Sequence, residues 1–267
     1  MKLLALALSL VGLATSHELL DQAEIIAQVQ ATDAKWVAGH NHKFDGMSLE
    51  EVKTLMGTIL ETPEELKLPE RHMEPRGDIP TEFDSRTAWP NCESIKEIRD
   101  QSTCGSCWAF GAAEAMSDRL CISSGQKDQT RISSEDLLTC CGFSCGNGCN
   151  GGYPSGAWNY FKRSGLVTGD LYGDKKYCMS YSFPPCDHHT PDGKYGPCGS
   201  SKPTPSCKKT CNGDASRSYT SDKWHADTAY SVPSNVEKLQ TEIMTRGPIE
   251  VAFTVYSDFL TYKEGVY

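Results

Sequence analysis

One short stretch gathers the residues most able to do chemistry: Gln101-Ser-Thr-Cys-Gly-Ser-Cys-Trp-Ala-Phe110. Two cysteines stand three residues apart. The second opens an apolar run in which Ala109, Ala112, Ala113, Met116 and Leu120 recur at helical spacing. Ser106 occupies the expected N-cap position, which puts Cys107 in the first helical turn. The thiolate is the attacking form of cysteine, and the positive end of a helix favours it over the thiol. Trp108 would shield one side of that sulfur from water. The Cys-x-x-Cys spacing also suits a thiol–disulfide oxidoreductase using Cys104 and Cys107, or half of a zinc site. The preceding glutamine and the following Trp-Ala-Phe fit neither well.

The other cysteines set the context. There are 13 in 267 residues, all between Cys92 and Cys211. Pairing twelve leaves one thiol over. Counting does not say which, and the helix-start argument nominates Cys107. Met1-Lys2 followed by an apolar run from Leu3 to Ala14 reads as a secretory signal peptide cut near Ser16. That run is too short to cross a bilayer, and no later stretch is apolar enough. The chain is thus expected in an oxidising compartment, where disulfides persist. Cys140-Cys141-x3-Cys145-x3-Cys149 lacks paired Cys-x2-Cys spacing and has no interleaved histidine, so bridges are expected there and not zinc. The net charge of −9 and the lack of a long basic run argue against nucleic acid and anionic membrane as partners.

These groups need elements to position them. Residues 17–78 contain no cysteine, and this shift in composition marks a boundary. Ser48 to Glu51 forms a capping box, with Val52, Leu55, Met56 and Ile59 expected on one helical face. Residues 62–78 read as an exposed linker. Ser133 starts a second capped helix, running through Asp136 and Leu138. Pro154 opens a third, carrying Trp158, Tyr160 and Phe161 and closed by Gly165. Gly151 and Gly152 leave backbone exposed for main-chain pairing with an extended peptide. Residues 178–211 lack a hydrophobic period and read as a bridged loop containing His188-His189. Ser234 to Glu237 caps a further helix, stopped at Gly247-Pro248. Ile249, Val251, Phe253 and Val255 then alternate as a strand.

The run Cys104-Gly105-Ser106-Cys107-Trp108 resembles the active-site segment of the papain-like cysteine peptidases. Trp36-Val-Ala-Gly-His-Asn41 with Met47-Ser48, and the segment from Gly247 to Tyr267, are similar to the cathepsin B-like branch of that family. The resemblance implies an α+β fold of two lobes, one helical and one β-barrel-like, meeting at a cleft. It implies a signal peptide over 1–16, an inhibitory prosegment over 17–78 and a peptidase domain over 79–267. Cys107 would be the nucleophile. Gln101 and the Cys107 N–H would stabilise the oxyanion, and Gly151 and Gly152 would line the substrate cleft. His188 and His189 would take a substrate's C-terminal carboxylate, with Asp100 anchoring their loop. The implied bridges are Cys92–Cys121, Cys104–Cys149, Cys140–Cys207, Cys141–Cys145, Cys178–Cys211 and Cys186–Cys198. Ser102-Thr103 departs from the family's commoner Gly-Ser, which matters if the backbone there needs positive φ.

The implied activity is endopeptidase and peptidyl-dipeptidase cleavage through an acyl-thioester, without metal or organic cofactor. Peptide and protein substrates, the chain's own prosegment and cystatin-type inhibitors are the implied partners. The implied location is the lysosome or the extracellular space, gut lumen included. A histidine base and an orienting asparagine are also required. After Cys107 the sequence offers His188, His189 and His225. His225 lacks the Gly-rich strand context of such a base, so the base and its asparagine are expected beyond Tyr267. The contrasting expectation is a secreted, disulfide-rich protein that binds peptides or inhibitors without catalysis.

Overall fold

The computed structural model describes residues 19–187 and 193–267. The signal-peptide expectation, the start of the 17–78 segment and the His188-His189 pair lie outside them.

The N-terminal segment is assembled from short pieces. Helix α1 (Gln22–Gln30) starts at Asp21, whose carboxylate accepts from the Glu24 N–H. Strand β1 (Trp36–Ala38) pairs antiparallel with β2 (Tyr262–Gly265), placing Trp36 opposite Gly265. Helix α2 (Leu49–Lys53) carries both halves of the capping box. The Glu51 N–H donates to Ser48 Oγ at 3.3 Å, and the Ser48 N–H donates to the Glu51 carboxylate at 2.7 Å. The expected apolar face does not continue to Ile59. The helix ends at Lys53: Leu55 and Met56 close tight turns onto Val52 and Lys53, and from the Leu55 carbonyl to the Ile59 N–H the backbone turns to distant partners, as described below. Phe44, Val52 and Leu260 form a small cluster that holds the segment to the far end of the chain.

The body is built around one helix. After the short α3 (Ser85–Ala88), α4 (Cys107–Ser123) buries Trp108, Ala109, Ala112, Ala113 and Met116 almost completely. Its small residues let neighbouring helices approach. α5 (Ser134–Cys140) and α6 (Pro154–Ser164) both pack on it, and Ile132, Leu137, Phe161, Leu166 and Tyr181 complete the core. α5 is capped by Ser133, whose Oγ accepts from the Asp136 N–H at 3.1 Å. α6 has proline at its first position and ends at Gly165, φ +71°. Six bridges staple this body: Cys92–Cys121, Cys104–Cys149, Cys140–Cys207, Cys141–Cys145, Cys178–Cys211 and Cys186–Cys198.

Two further details differ from the sequence reading. Helix α7 (Val236–Arg246) is capped by Asn235, not Ser234. The Asn235 side chain accepts from the Lys238 N–H at 3.0 Å. Residues 249–255 form no strand, and Val251 and Phe253 are 70% and 52% exposed. Alternation makes a strand only where a neighbour takes its backbone groups. Among the described residues, none lies beside 249–255 to do so. The architecture is α+β: helices around α4, with β1–β2 as the one named sheet of the described residues. A β-barrel-like lobe is not assembled from those strands. No helix of the described residues is long and apolar enough to cross a membrane.

Candidate active site

Cys107 stands at the first position of α4, and it is the one cysteine not in a bridge. Cys104 is bonded to Cys149, so the Cys104–Cys107 redox pair is not formed. Ser106 holds the N-cap position, but its side chain caps nothing. Its hydroxyl lies 3.1 Å from Tyr181 Oη, while its carbonyl accepts from the Ala109 and Phe110 N–H groups. Trp108 is buried and donates from Nε1 to the Gly148 carbonyl at 3.1 Å.

Trp108 forms the floor beneath Gly152. A Cβ on Gly152 would fall 2.5 Å from the indole and 2.4 Å from the Cys145 carbonyl, so no side chain fits there. Gly151 adopts φ +113°, which a side chain would strain. Together they leave an uncovered edge of backbone beside the sulfur.

That edge is filled by residues 55–59. The Gly152 N–H donates to the Gly57 carbonyl at 2.8 Å, and the Ile59 N–H donates to the Gly152 carbonyl at 2.9 Å. Thr58 and Gly152 form a parallel bridge. The Gly57 N–H points at Cys107 Sγ, 3.2 Å away, and Thr58 Oγ1 lies 3.3 Å from the same sulfur. Gln101 Nε2 donates to the Leu55 carbonyl at 3.0 Å. The fit is tight: a Cβ on Gly57 would stand 1.9 Å from the Gly105 carbonyl oxygen. Residues 57–59 thus pair with Gly152 beside the sulfur, and a tight turn from Leu55 to Gly57 puts the Leu55 carbonyl on the Gln101 amide.

Gln101 is held from behind by the Tyr181 hydroxyl, which donates to its carbonyl at 2.9 Å. Burial raises the Tyr181 pKa, so the phenol stays a protonated donor. Asp100 accepts from the Ser102 N–H at 2.6 Å. Ser102 sits buried at φ +56°, so the departure from glycine does fall on a left-handed backbone position. The bridged loop docks on this corner. Thr103 Oγ1 donates to the Ser200 carbonyl at 3.0 Å, and the Lys202 N–H donates to the Thr103 carbonyl at 2.9 Å. His188 and His189, expected on that loop, lie outside the described residues. His225 packs against Gly165 at the end of α6. Among the described residues, no imidazole is hydrogen-bonded to Cys107.

A cavity of about 1180 Å³ continues the groove between residues 59–71 and the body. Trp158, Phe161, Met116 and Glu250 line it. Trp158 Nε1 donates to Glu250 Oε2 at 2.7 Å. Burial outweighs that bond and pushes the Glu250 pKa up to about 8.

The arrangement suits acyl transfer from an extended peptide to sulfur. Gln101, Cys107, Gly151 and Gly152 are brought together at one groove. Leu55, Gly57, Thr58 and Tyr181 escaped the sequence reading. A glycine within Leu55-Met-Gly57-Thr58 does signal close backbone approach. Tyr181 carries no such local signal, because its role depends on distant partners.

Residues 79–267 match the family model described as papain family cysteine protease. The chain is 45% identical over 255 residues to cathepsin B-like cysteine proteinase 6 of Caenorhabditis elegans, covering 93% of this chain and 67% of that protein. It is 46% identical over 240 residues to a cathepsin B-like cysteine proteinase of Schistosoma japonicum, covering 88% and 69%. The solved structure of procathepsin B S9 from Trypanosoma congolense superposes with a TM-score of 0.77 at 33% identity, over 93% of this chain and 77% of that one.

Proposed function

The chain belongs to the papain family of cysteine proteases, and from that premise we propose that Cys107 cleaves peptide bonds through an acyl-thioester. Its sulfur attacks the scissile carbonyl, whose π electrons move onto oxygen. Gln101 Nε2 and the Cys107 N–H stabilise that charge. Collapse expels the amine, which takes up a proton, and leaves the acyl group on sulfur. Water then releases the acid and restores the thiol. Losing one oxyanion donor in such a site costs about 10²–10³ in kcat. No step draws on a metal or an organic cofactor. The reading requires a histidine from outside the described residues to carry the proton.

The observation that carries this reading is the Leu55 carbonyl on Gln101 Nε2 at 3.0 Å, two residues before Gly57 meets Cys107. On this reading the Leu55 carbonyl takes one of the two donors that the developing charge would use. On the same reading residues 17–78 are the prosegment, and their removal uncovers the groove. His188 and His189 would hold a substrate's terminal carboxylate and confer dipeptide removal, with Asp100 anchoring the loop. Cystatin-type proteins would compete for the groove, in the lysosome or outside the cell.

A second reading, peptide or inhibitor binding without catalysis, is favoured by the absence of an imidazole partner for Cys107 among the described residues. One experiment separates the two. The acid-treated chain is exposed to a thiol-reactive epoxide and mapped by mass spectrometry, and a fluorogenic peptide is assayed in parallel. Labelling at Cys107 with turnover abolished in C107S supports the peptidase. Binding of peptide with neither labelling nor turnover supports the binding protein.

A further inference from the structure

The geometry points to a site for a divalent transition-metal ion in the prosegment, made by His40, His42 and Asp45. His40 Nε2 lies 2.8 Å from Asp45 Oδ1, and His42 Nδ1 lies 2.9 Å from Asp45 Oδ2. The two imidazole rings stand 4.7 Å apart, and one donor atom from each residue falls within 4.8 Å of the others. Two nitrogens and a carboxylate around a tetrahedral zinc, at bond lengths of about 2.0–2.2 Å, would sit roughly 3.3 Å from one another. Opening the two imidazole–carboxylate contacts and adjusting the two side-chain rings would reach that arrangement and leave a fourth position for water. Imidazole and carboxylate together favour zinc, cobalt or nickel over calcium and magnesium.

The turn that presents them is built before any ion arrives. His42–Phe44 is a single 3-10 turn capped by the Asn41 side chain. Gln22 is buried and clamps it from behind. Gln22 Nε2 donates to the Asn41 carbonyl at 3.0 Å and to Asp45 Oδ1 at 3.2 Å, and Gln22 Oε1 accepts from the Asn41 N–H at 2.8 Å. A hydrogen bond from behind fixes the direction of a ligating carboxylate, as in established metal sites. The three side chains are about half exposed, so an ion can enter.

The position gives the site a consequence. The Gly39 N–H donates to the Thr261 carbonyl at 2.7 Å, just before His40. Phe44, within the turn, is buried with Leu260. The ion would therefore tie together two points at which the prosegment holds the 260–265 stretch. An ion that binds the docked turn and not the released one retains the prosegment by mass action. Zinc would delay uncovering of the groove. This does not depend on whether Cys107 is catalytic.

The test uses the full chain carrying C107S, H188A and H189A, which removes the free thiol and the adjacent histidine pair as competing ligands. Titration with Co²⁺ should show one ion per chain with tetrahedral visible absorption. H40A/H42A should abolish it, and D45N should weaken it at least tenfold. Added peptidase should cut residues 62–78 several-fold more slowly with Zn²⁺ in the parent, and at one rate with or without Zn²⁺ in H40A/H42A. If H40A/H42A loses the docked prosegment without metal, H40Q/H42Q, which keeps donors toward Asp45, replaces it. Unchanged Co²⁺ binding in the double variant, or no saturable binding below millimolar ion, overturns the proposal.

Discussion

The prosegment and the helical body solve the same problem with different means. The body has α4 buried within a continuous core and six bridges. The prosegment has no bridge, a cluster of Phe44, Val52 and Leu260, and backbone bonds lent by Gly152 and by β2. One region is held by what it encloses, and the other by what it touches. The difference teaches where a mutation should act: on folding in the body, on docking in the prosegment.

Two glycines sharpen the contrast. Gly152→Ala should be the most damaging change, because its Cβ would meet the Trp108 ring and the Cys145 carbonyl inside the body. Overpacking of this kind costs about 1–3 kcal/mol, read as a lowered midpoint in thermal or urea unfolding. Gly57→Ala meets backbone at 1.9 Å, yet across the docking surface. It should lower the unfolding midpoint less than Gly152→Ala does and speed labelling of Cys107 by a thiol reagent about tenfold or more, the equivalent of about 1.4 kcal/mol. Equal losses of stability in both variants would break the comparison.

The next effect is on pH. Burial pushes Glu114 of α4 up to about 7 and Glu250 up to about 8. Both acids bind protons more tightly folded than unfolded. Their contribution is complete below the ordinary carboxylate range and is lost as pH rises through about 7 and 8. Thermal midpoints should fall between pH 5 and 8.5, and E114Q and E250Q should each shrink that fall. The smallest change belongs to Ser102, at φ +56°. Ser102→Gly should stabilise the body by about 0.5–1 kcal/mol by removing left-handed strain, measured as a higher unfolding midpoint.

How much of this was legible beforehand follows the same division. The α4 start at Cys107, the proline and glycine limits of α6, and the box at Ser48 and Glu51 are local chemistry, and residue types within a few positions decide them. The apolar spacing through residues 55–59 predicts a helix, and that spacing is real but outweighed. The Leu55 and Gly57 carbonyls and the Gly57 and Ile59 N–H groups reach Gln101, Gly152 and Cys107, and no local pattern records a partner fifty or a hundred positions away. Residues 249–255 err in the opposite way, since alternation predicts a strand but cannot supply its neighbour. Tyr181 behind Gln101 was invisible for the same reason. The thiol was readable because helix start, neighbours and odd cysteine count all bear on it.

The pairing of β1 with β2 joins two stretches from opposite ends of the described chain. A ribosome makes the first of them early and the second at the close of this stretch, so synthesis order and seating order are reversed. The cover over the groove is among the earliest parts to emerge, yet its strand has no mate until Tyr262–Gly265 has been made. Until then, contacts with Gly152, Gln101 and Cys107 are what guide residues 55–59 into place.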